Sequence, residues 1–261
     1  MKEKYLLAIP VFNEAGYVRG VLERSRRHAR DILVIDDGST DGTAAILDGY
    51  GDITVIRHER NLGYGRSLID AFKFACDRGY GWLITMDCDE QHEPDAIPLF
   101  ISAMEADDAD IISGSRYLVP DAAGDSPPAD RRAINRRITR LVNERLDLGI
   151  TDAFCGFKAY RCDALASMRI TESGYAMPLQ LWAEAARLDL RVRELAIRLV
   201  YNDPTRHFGG ELDDAAARYR HYLHVFRAAL ADVARGVRSD ETVGAKGGQS
   251  ACTPGAVCGC P

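Results

Sequence analysis

The chain has 261 residues, 46% of them hydrophobic and 28% charged, with a formal net charge of -6. That length buries the core of one domain with at most a small appendage, and the composition is that of an ordinary soluble globular protein. The negative balance excludes a general nucleic-acid binder while leaving room for local basic patches.

Apolar runs and amphipathic segments alternate from the start. Residues 5–12, YLLAIPVF, predict a strand, followed by a helix over 14–29; residues 31–37, DILVIDD, predict a second strand, followed by a short helix over 41–47. ITVIRH (53–58), WLITMD (82–87) and ADIISGSRY (109–117) supply three more strands, with helices over 65–78 and 94–105. This alternation predicts an α/β single domain with a mostly parallel central sheet and helices on both faces. Function in such sheets gathers at the carboxyl ends of the strands, which is where PVFNE, DDGSTDGT, DCDEQH and GSRY all fall.

At the end of the fourth run, Asp87, Asp89 and Gln91 alternate and so share one face of an extended chain. Two carboxylates that close repel unless a cation or a proton lies between them, and a hard divalent ion fits. A solvated strand end, with Glu93-Pro94-Asp95 opening the next helix, is the plainer reading. Residues 119–130 are rich in Pro, Gly, Ala and Asp and predict a long mobile loop. A helix over 131–146 follows, with Ile134, Ile138, Leu141 and Val142 on one side and arginines over the remainder. It suits either a solvated surface or peripheral contact with an anionic membrane surface, the four apolar residues entering the interface. Residues 192–200 predict a last strand and 212–235 a closing helix, so that the domain spans 1–235. Residues 236–261 read as a flexible Gly- and Cys-containing tail whose three cysteines lack a fourth metal ligand.

The seven cysteines have no framework spacing and read as reduced thiols. No apolar run approaches the roughly 18 residues that span a bilayer, and the first residues lack the pattern of a signal peptide. The expected localisation is cytoplasmic, with any membrane contact peripheral.

Together PVFNE, VIDDGSTDGT, the LGYG turn at 62–65, MDCDEQH, GSRY and DAFCGFKAY (152–160) resemble, in order and spacing, the family 2 glycosyltransferases. The nearest resemblance is to the dolichyl- or polyprenyl-phosphate mannose and glucose synthases, over residues 4–210. It implies a GT-A fold, inversion at the anomeric carbon, a nucleotide-sugar donor of the GDP-mannose or UDP-glucose type, and a polyprenyl phosphate acceptor. By the same resemblance Pro10, Phe12 and Glu14 border the nucleoside, with Phe12 in place of a more usual tyrosine, and Ile35 and Asp37 edge the base and ribose. Asp87, Cys88, Asp89 and Gln91 form the DxD-type site, with Mg²⁺ or Mn²⁺ on Asp87, Asp89 and Gln91; Arg116, Arg131 and Arg206 match phosphate-binding arginines.

The chemistry supports that metal independently, because a departing nucleoside diphosphate carries about three negative charges and Mg²⁺ is suited by two carboxylates plus substrate oxygens. The expected catalytic set is Asp89, Arg116 and Asp152. A lipid phosphate is already anionic and needs no base, whereas a hydroxyl acceptor needs a carboxylate, for which Asp152 is the candidate. TRHFGGEL (205–212) keeps Arg206 and Gly209 but has Gly210 and Glu211 in place of a basic end, and Gln180 stands where many relatives carry an acid. These departures leave two alternatives: a transferase acting on a soluble or glycan hydroxyl, and a non-catalytic nucleotide-sugar binding protein. A dinucleotide oxidoreductase is excluded, since no GxGxxG follows the first strand.

Overall fold

In the computed structural model, residues 4–89, 92–119, 128–198, 200 and 210–244 are described, those from 237 on by backbone alone. Seven strands form one sheet in the order β3-β2-β1-β4-β6-β5-β7. They are β1 (Tyr5–Val11), β2 (Ile32–Asp36), β3 (Thr54–Arg57), β4 (Trp82–Thr85), β5 (Ile111–Ser115), β6 (Lys158–Arg161) and β7 (Val192–Ala196). All neighbours are parallel except β6, which runs antiparallel to both β4 and β5.

The period of two sorts each strand into two cores. In β1, Leu6 and Ala8 face the side packed by α3 (Tyr64–Asp77), α5 (Ala129–Leu146), α6 (Cys162–Ser167), α7 (Met177–Arg187) and α8 (Ala215–Gly244). Leu7, Ile9 and Val11 face α1 (Val18–Ser25), α2 (Thr43–Leu47) and α4 (Ile97–Glu105). Every position of β2, β4 and β5 is buried, as a sheet covered on both faces requires.

Every strand expected from the sequence forms, and β6 is an addition to them. Its four residues, KAYR, begin and end with a charge and pass straight into α6, so they give no apolar run. The last strand stops at Ala196, short of the expected 200. The closing helix runs past 235 to Gly244, because one glycine inside a helix costs only about 1 kcal/mol and no proline follows within it.

The expectation for α5 needs correction. Ile138 and Val142 are fully buried in the core and Ile134 and Leu141 pack beside them, so this face is not free to enter a bilayer. The charged residues that α5 exposes are Arg132, Arg136, Arg137, Arg140 and Arg145, with the acids Asp130 and Glu144. Among the described residues no helix is long and apolar enough to cross a membrane, and Cys76, Cys88, Cys155 and Cys162 are free thiols. Most of the expected mobile loop, at 120–127, and the tail from 245 with its three cysteines lie outside the described residues.

Candidate functional site

The segments after β1 and β2 are laced together by side chains that cap backbone groups. Asn13, at a φ of 57°, turns the chain in a left-handed conformation that asparagine tolerates well. Its N–H donates to Ser39 Oγ at 3.0 Å, and its Oδ1 accepts from the Thr40 N–H at 2.8 Å. The Glu14 N–H donates to Thr43 Oγ1 and the Ala15 N–H to Asp41 Oδ2, both at 2.9 Å. PVFNE and DDGSTDGT are thereby one wall.

Asp37 joins that wall to the LGYG turn. Its Oδ1 accepts the Leu62 N–H at 2.8 Å and its Oδ2 the Gly63 N–H at 2.9 Å. Gly63 is required there, with a φ of 104° and a Cβ position that would lie 2.4 Å from the Ser173 carbonyl oxygen.

After β4 the chain presents Asp87, Cys88 and Asp89. The Tyr64 hydroxyl donates to Asp87 Oδ1 at 2.9 Å; burial, and then the Asp87 charge, holds that phenol well above its ordinary pKa, so it remains a donor. On the other side Gly156 lies so close that an added Cβ would stand 2.4 Å from Asp87 Oδ2. Behind the carboxylate sits His92, 2% exposed, whose Nδ1 faces the Asp87 N–H at 3.3 Å and whose Nε2 faces Cys155 Sγ at 3.8 Å. Burial pushes its pKa down to about 4, so the ring is neutral, accepting at Nδ1 and donating from Nε2. Lys158, also fully buried, donates to the Cys155 carbonyl.

After β5, Arg116 forms a two-point pair with Asp152: Nε to Oδ2 at 2.6 Å and Nη2 to Oδ1 at 2.9 Å. Asn135 of α5 donates to the same Oδ1 at 2.8 Å. Burial alone would raise the Asp152 pKa, but the Arg116 charge and hydrogen bonds outweigh it and hold the carboxyl well below the usual range. Glu194 of β7 accepts from the Thr151 and Asp152 N–H groups and fixes this corner of the chain. Asp152 is 0% exposed. It is therefore not placed to take a proton from an acceptor; it orients Arg116.

These groups surround one cavity of about 430 Å³. Of the expected residues, Pro10, Phe12, Glu14, Asp37, Asp87, Cys88, Asp89, Arg116 and Arg131 line it. Ile35 does not reach it: the residue lies below the end of β2 and is fully buried in the core. Gln91 and Arg206 lie outside the described residues. Gln180 accepts from the Thr171 and Glu172 N–H groups at 2.8 Å each, so its amide holds a loop.

The sequence did not single out Tyr64, Tyr175, Phe154 or Tyr222; all four line the cavity. Tyr64 stacks on Tyr175 at 5.7 Å, and Phe154 packs on Tyr222 at 4.7 Å. Arg218 of α8 also reaches the cavity while donating to Asp130 Oδ2 and the Leu212 carbonyl, and no local pattern marks it out. The glycines beside Tyr64 in LGYG were the available signal for that residue.

Among the described residues no group of three or more His, Cys, Asp or Glu side chains is assembled to hold a metal by itself. Asp87 and Asp89 at the cavity, with Gly156 leaving the Asp87 oxygens room, nonetheless fit an ion that takes one or two carboxylates and completes its shell from substrate oxygens.

A family model described as Glycosyl transferase family 2 matches residues 7–169. The chain is 31% identical over 206 residues to an undecaprenyl-phosphate mannosyltransferase of Micrococcus luteus, covering 76% of this chain and 84% of that one. It is 29% identical over 205 residues to a polyprenol monophosphomannose synthase of Mycolicibacterium smegmatis, covering 75% and 77%. Among solved structures, glucosyl-3-phosphoglycerate synthase from Mycobacterium tuberculosis shares the fold at 17% identity and a TM-score of 0.66 in its complex with Mn²⁺, UDP and glucosyl-3-phosphoglycerate, covering 88% of this chain and 80% of that one. Its complex with Mg²⁺ and UDP gives a TM-score of 0.67 at 16% identity, with the same coverage.

Two predictions arise from this geometry. In Gly156→Ala the new methyl displaces the Asp87 carboxylate, and binding of Mn²⁺ with GDP or UDP, followed by calorimetry, weakens by about tenfold or more. His92 has a folded pKa below its unfolded one, so the stability it contributes is fully present above about pH 6.5 and is lost as pH falls to about 4. The loss is about 3 kcal/mol. Urea unfolding at several pH values without divalent ions should show a steeper acid decline for the native protein than for His92→Gln.

Proposed function

The chain belongs to glycosyl transferase family 2 and is a glycosyltransferase with the GT-A fold; on that premise we propose that it moves a hexose from a nucleotide sugar to a polyprenyl phosphate, with inversion at the anomeric carbon. The observation that carries this reading is a single cavity that is carboxylate-lined at Asp87 and Asp89, cationic at Arg116, Arg131 and Arg218, and aromatic at Phe154, Tyr175 and Tyr222. A metal-bound diphosphate, an acceptor phosphate and the first isoprenoid units each meet matching chemistry there. The names of the two curated relatives make mannose the first sugar to test.

Asp87 and Asp89 are the residues that would hold Mg²⁺ or Mn²⁺, which when bound offsets the negative charge gathering on the departing diphosphate. Arg116 presents a guanidinium that stays charged at any working pH, in an orientation fixed by Asp152 rather than by solvent. With Asp152 committed to Arg116, the carboxylate expected to serve a hydroxyl acceptor is not available, which favours an acceptor that is already an anion. Catalysis then reduces to holding two charged reactants in line.

A polyprenyl phosphate is met at a bilayer, and the proposed contact is electrostatic. The exposed arginines of α5 supply charge. Leu118 and Val119 follow Tyr117 of the cavity wall and are 39% and 50% exposed, giving the mouth an apolar edge. Liposome co-sedimentation tests this: anionic vesicles retain the native protein at low salt and release it at high salt. Arg132→Gln, Arg136→Gln and Arg140→Gln combined bind about a hundredfold more weakly, at about 1 kcal/mol per arginine. Equal binding of the triple variant would remove α5 from the contact.

The function itself is tested with radiolabelled GDP-mannose and UDP-glucose, with and without a short polyprenyl phosphate and Mn²⁺, scored by organic extraction. Label enters the organic phase only with acceptor and metal, and Asp89→Ala abolishes it while leaving the melting temperature near native. Label passing to water-soluble glycans would support the hydroxyl-acceptor alternative, and nucleotide binding without any transfer would support the binding-protein alternative.

A further inference from the structure

Outside the cavity, a buried histidine lies between two carboxylates and is used by nothing described so far. His58 follows β3, and its side chain is 7% exposed. Nδ1 faces Asp37 Oδ1 at 2.6 Å, and Nε2 faces Asp70 Oδ2 of α3 at 3.0 Å. Among the described residues Arg66 also joins this cluster, its Nε donating to the same Asp70 oxygen at 2.8 Å. Each ring nitrogen thus lies within hydrogen-bond reach of a carboxylate oxygen, which accepts and does not donate, so a hydrogen on either nitrogen is given to that acceptor. Such charge-assisted bonds are roughly twice as strong as neutral ones.

We infer that His58 is a positioning residue for the nucleotide end of the cavity, acting through Asp37 on the turn that carries Tyr64. The Leu62 N–H and His58 Nδ1 both face Asp37 Oδ1. Oδ2 accepts only the Gly63 N–H among the described bonds, and so keeps a lone pair on a residue that lines the cavity. The next residue after that amide is Tyr64, whose hydroxyl holds Asp87. His58 thus anchors α3, through Asp70, to the carboxylate that fixes the start of the same helix. It does not itself line the cavity. Without it, Asp37 would be free to turn, and both its open lone pair and the Tyr64 contact would lose their fixed direction.

His58→Gln is the informative substitution, because the amide donates from one end and turns a carbonyl toward the other carboxylate. The first readout needs no ligand: amide hydrogen exchange at Leu62 and Gly63. Exchange there quickens by about tenfold in His58→Gln, the scale of losing one charge-assisted hydrogen bond, while the amides of β1 remain unchanged. Adding Asp70→Asn supplies a donor to the glutamine carbonyl and restores exchange to within about threefold of native, which a simple packing defect would not allow. The second readout, calorimetric binding of GDP or UDP with Mn²⁺, weakens and recovers in parallel. This arm rests on the donor reading above. If the native protein binds neither nucleotide while the exchange pattern holds, the donor reading fails and the role of His58 stands. Unchanged exchange in His58→Gln, or no recovery in the double variant, overturns the inference.

Discussion

The site depends on one close approach, the backbone of Gly156 against the carboxylate of Asp87. A carboxylate at the end of a buried strand is costly unless its oxygens are held, and here Tyr64 holds one oxygen while Gly156, lacking a side chain, leaves space for the carboxylate against the backbone. The approach exists because β6 enters the sheet antiparallel between β4 and β5, bringing its leading residues across the ends of both strands. The Thr85 hydroxyl donates to the Gly156 carbonyl at 2.8 Å and fixes the register of that crossing. The same insertion brings Asp152 to Arg116, so one short strand sets both the anionic and the cationic parts of the cavity.

The Arg116–Asp152 pair is not to be read as a source of stability. Burying two charges costs several kcal/mol per ion, and a well-formed pair does little more than offset that cost. Removing one partner would leave the other charge stranded, at about 3–5 kcal/mol. The geometry explains what the pair accomplishes instead. Two parallel contacts, with Asn135 and the Phe154 N–H on the same carboxylate, leave the guanidinium a single orientation. Because the Asp152 carboxyl is held well below its usual range, that orientation persists across all neutral and mildly acidic conditions.

Most of the sheet was legible because strands buried on both faces are written as apolar runs, and the motifs at their ends are polar for a reason that sequence shows. β6 was not legible, since Lys158 and Arg161 break its pattern and Lys158 is buried between the nearby Cys155 carbonyl and the ring of Trp182 in α7. The apolar side of α5 was legible as a stripe, but a stripe does not say whether protein or lipid covers it; here Val225 and Phe226 of α8 belong to the same core as Ile138 and Val142. Asp152 was read as the candidate base from its place at the start of DAFCGFK, and only the folded chain shows Arg116 across from it. The aromatic wall had the weakest signal, as Phe154, Tyr175 and Tyr222 come from three separate segments.

The position of β6 also bears on how the chain acquires its shape. Strands β1 to β4 lie side by side as β3-β2-β1-β4, a unit assembled from consecutive segments. Among the described strands β5 does not pair with β4 and must wait for β6, which is made later and lies between them in the sheet. The two halves of the cavity are therefore joined by long-range contacts whose entropy cost is met late. A chain extending only as far as α5 carries Asp87 and Arg116 without the strand that brings their segments together in one sheet.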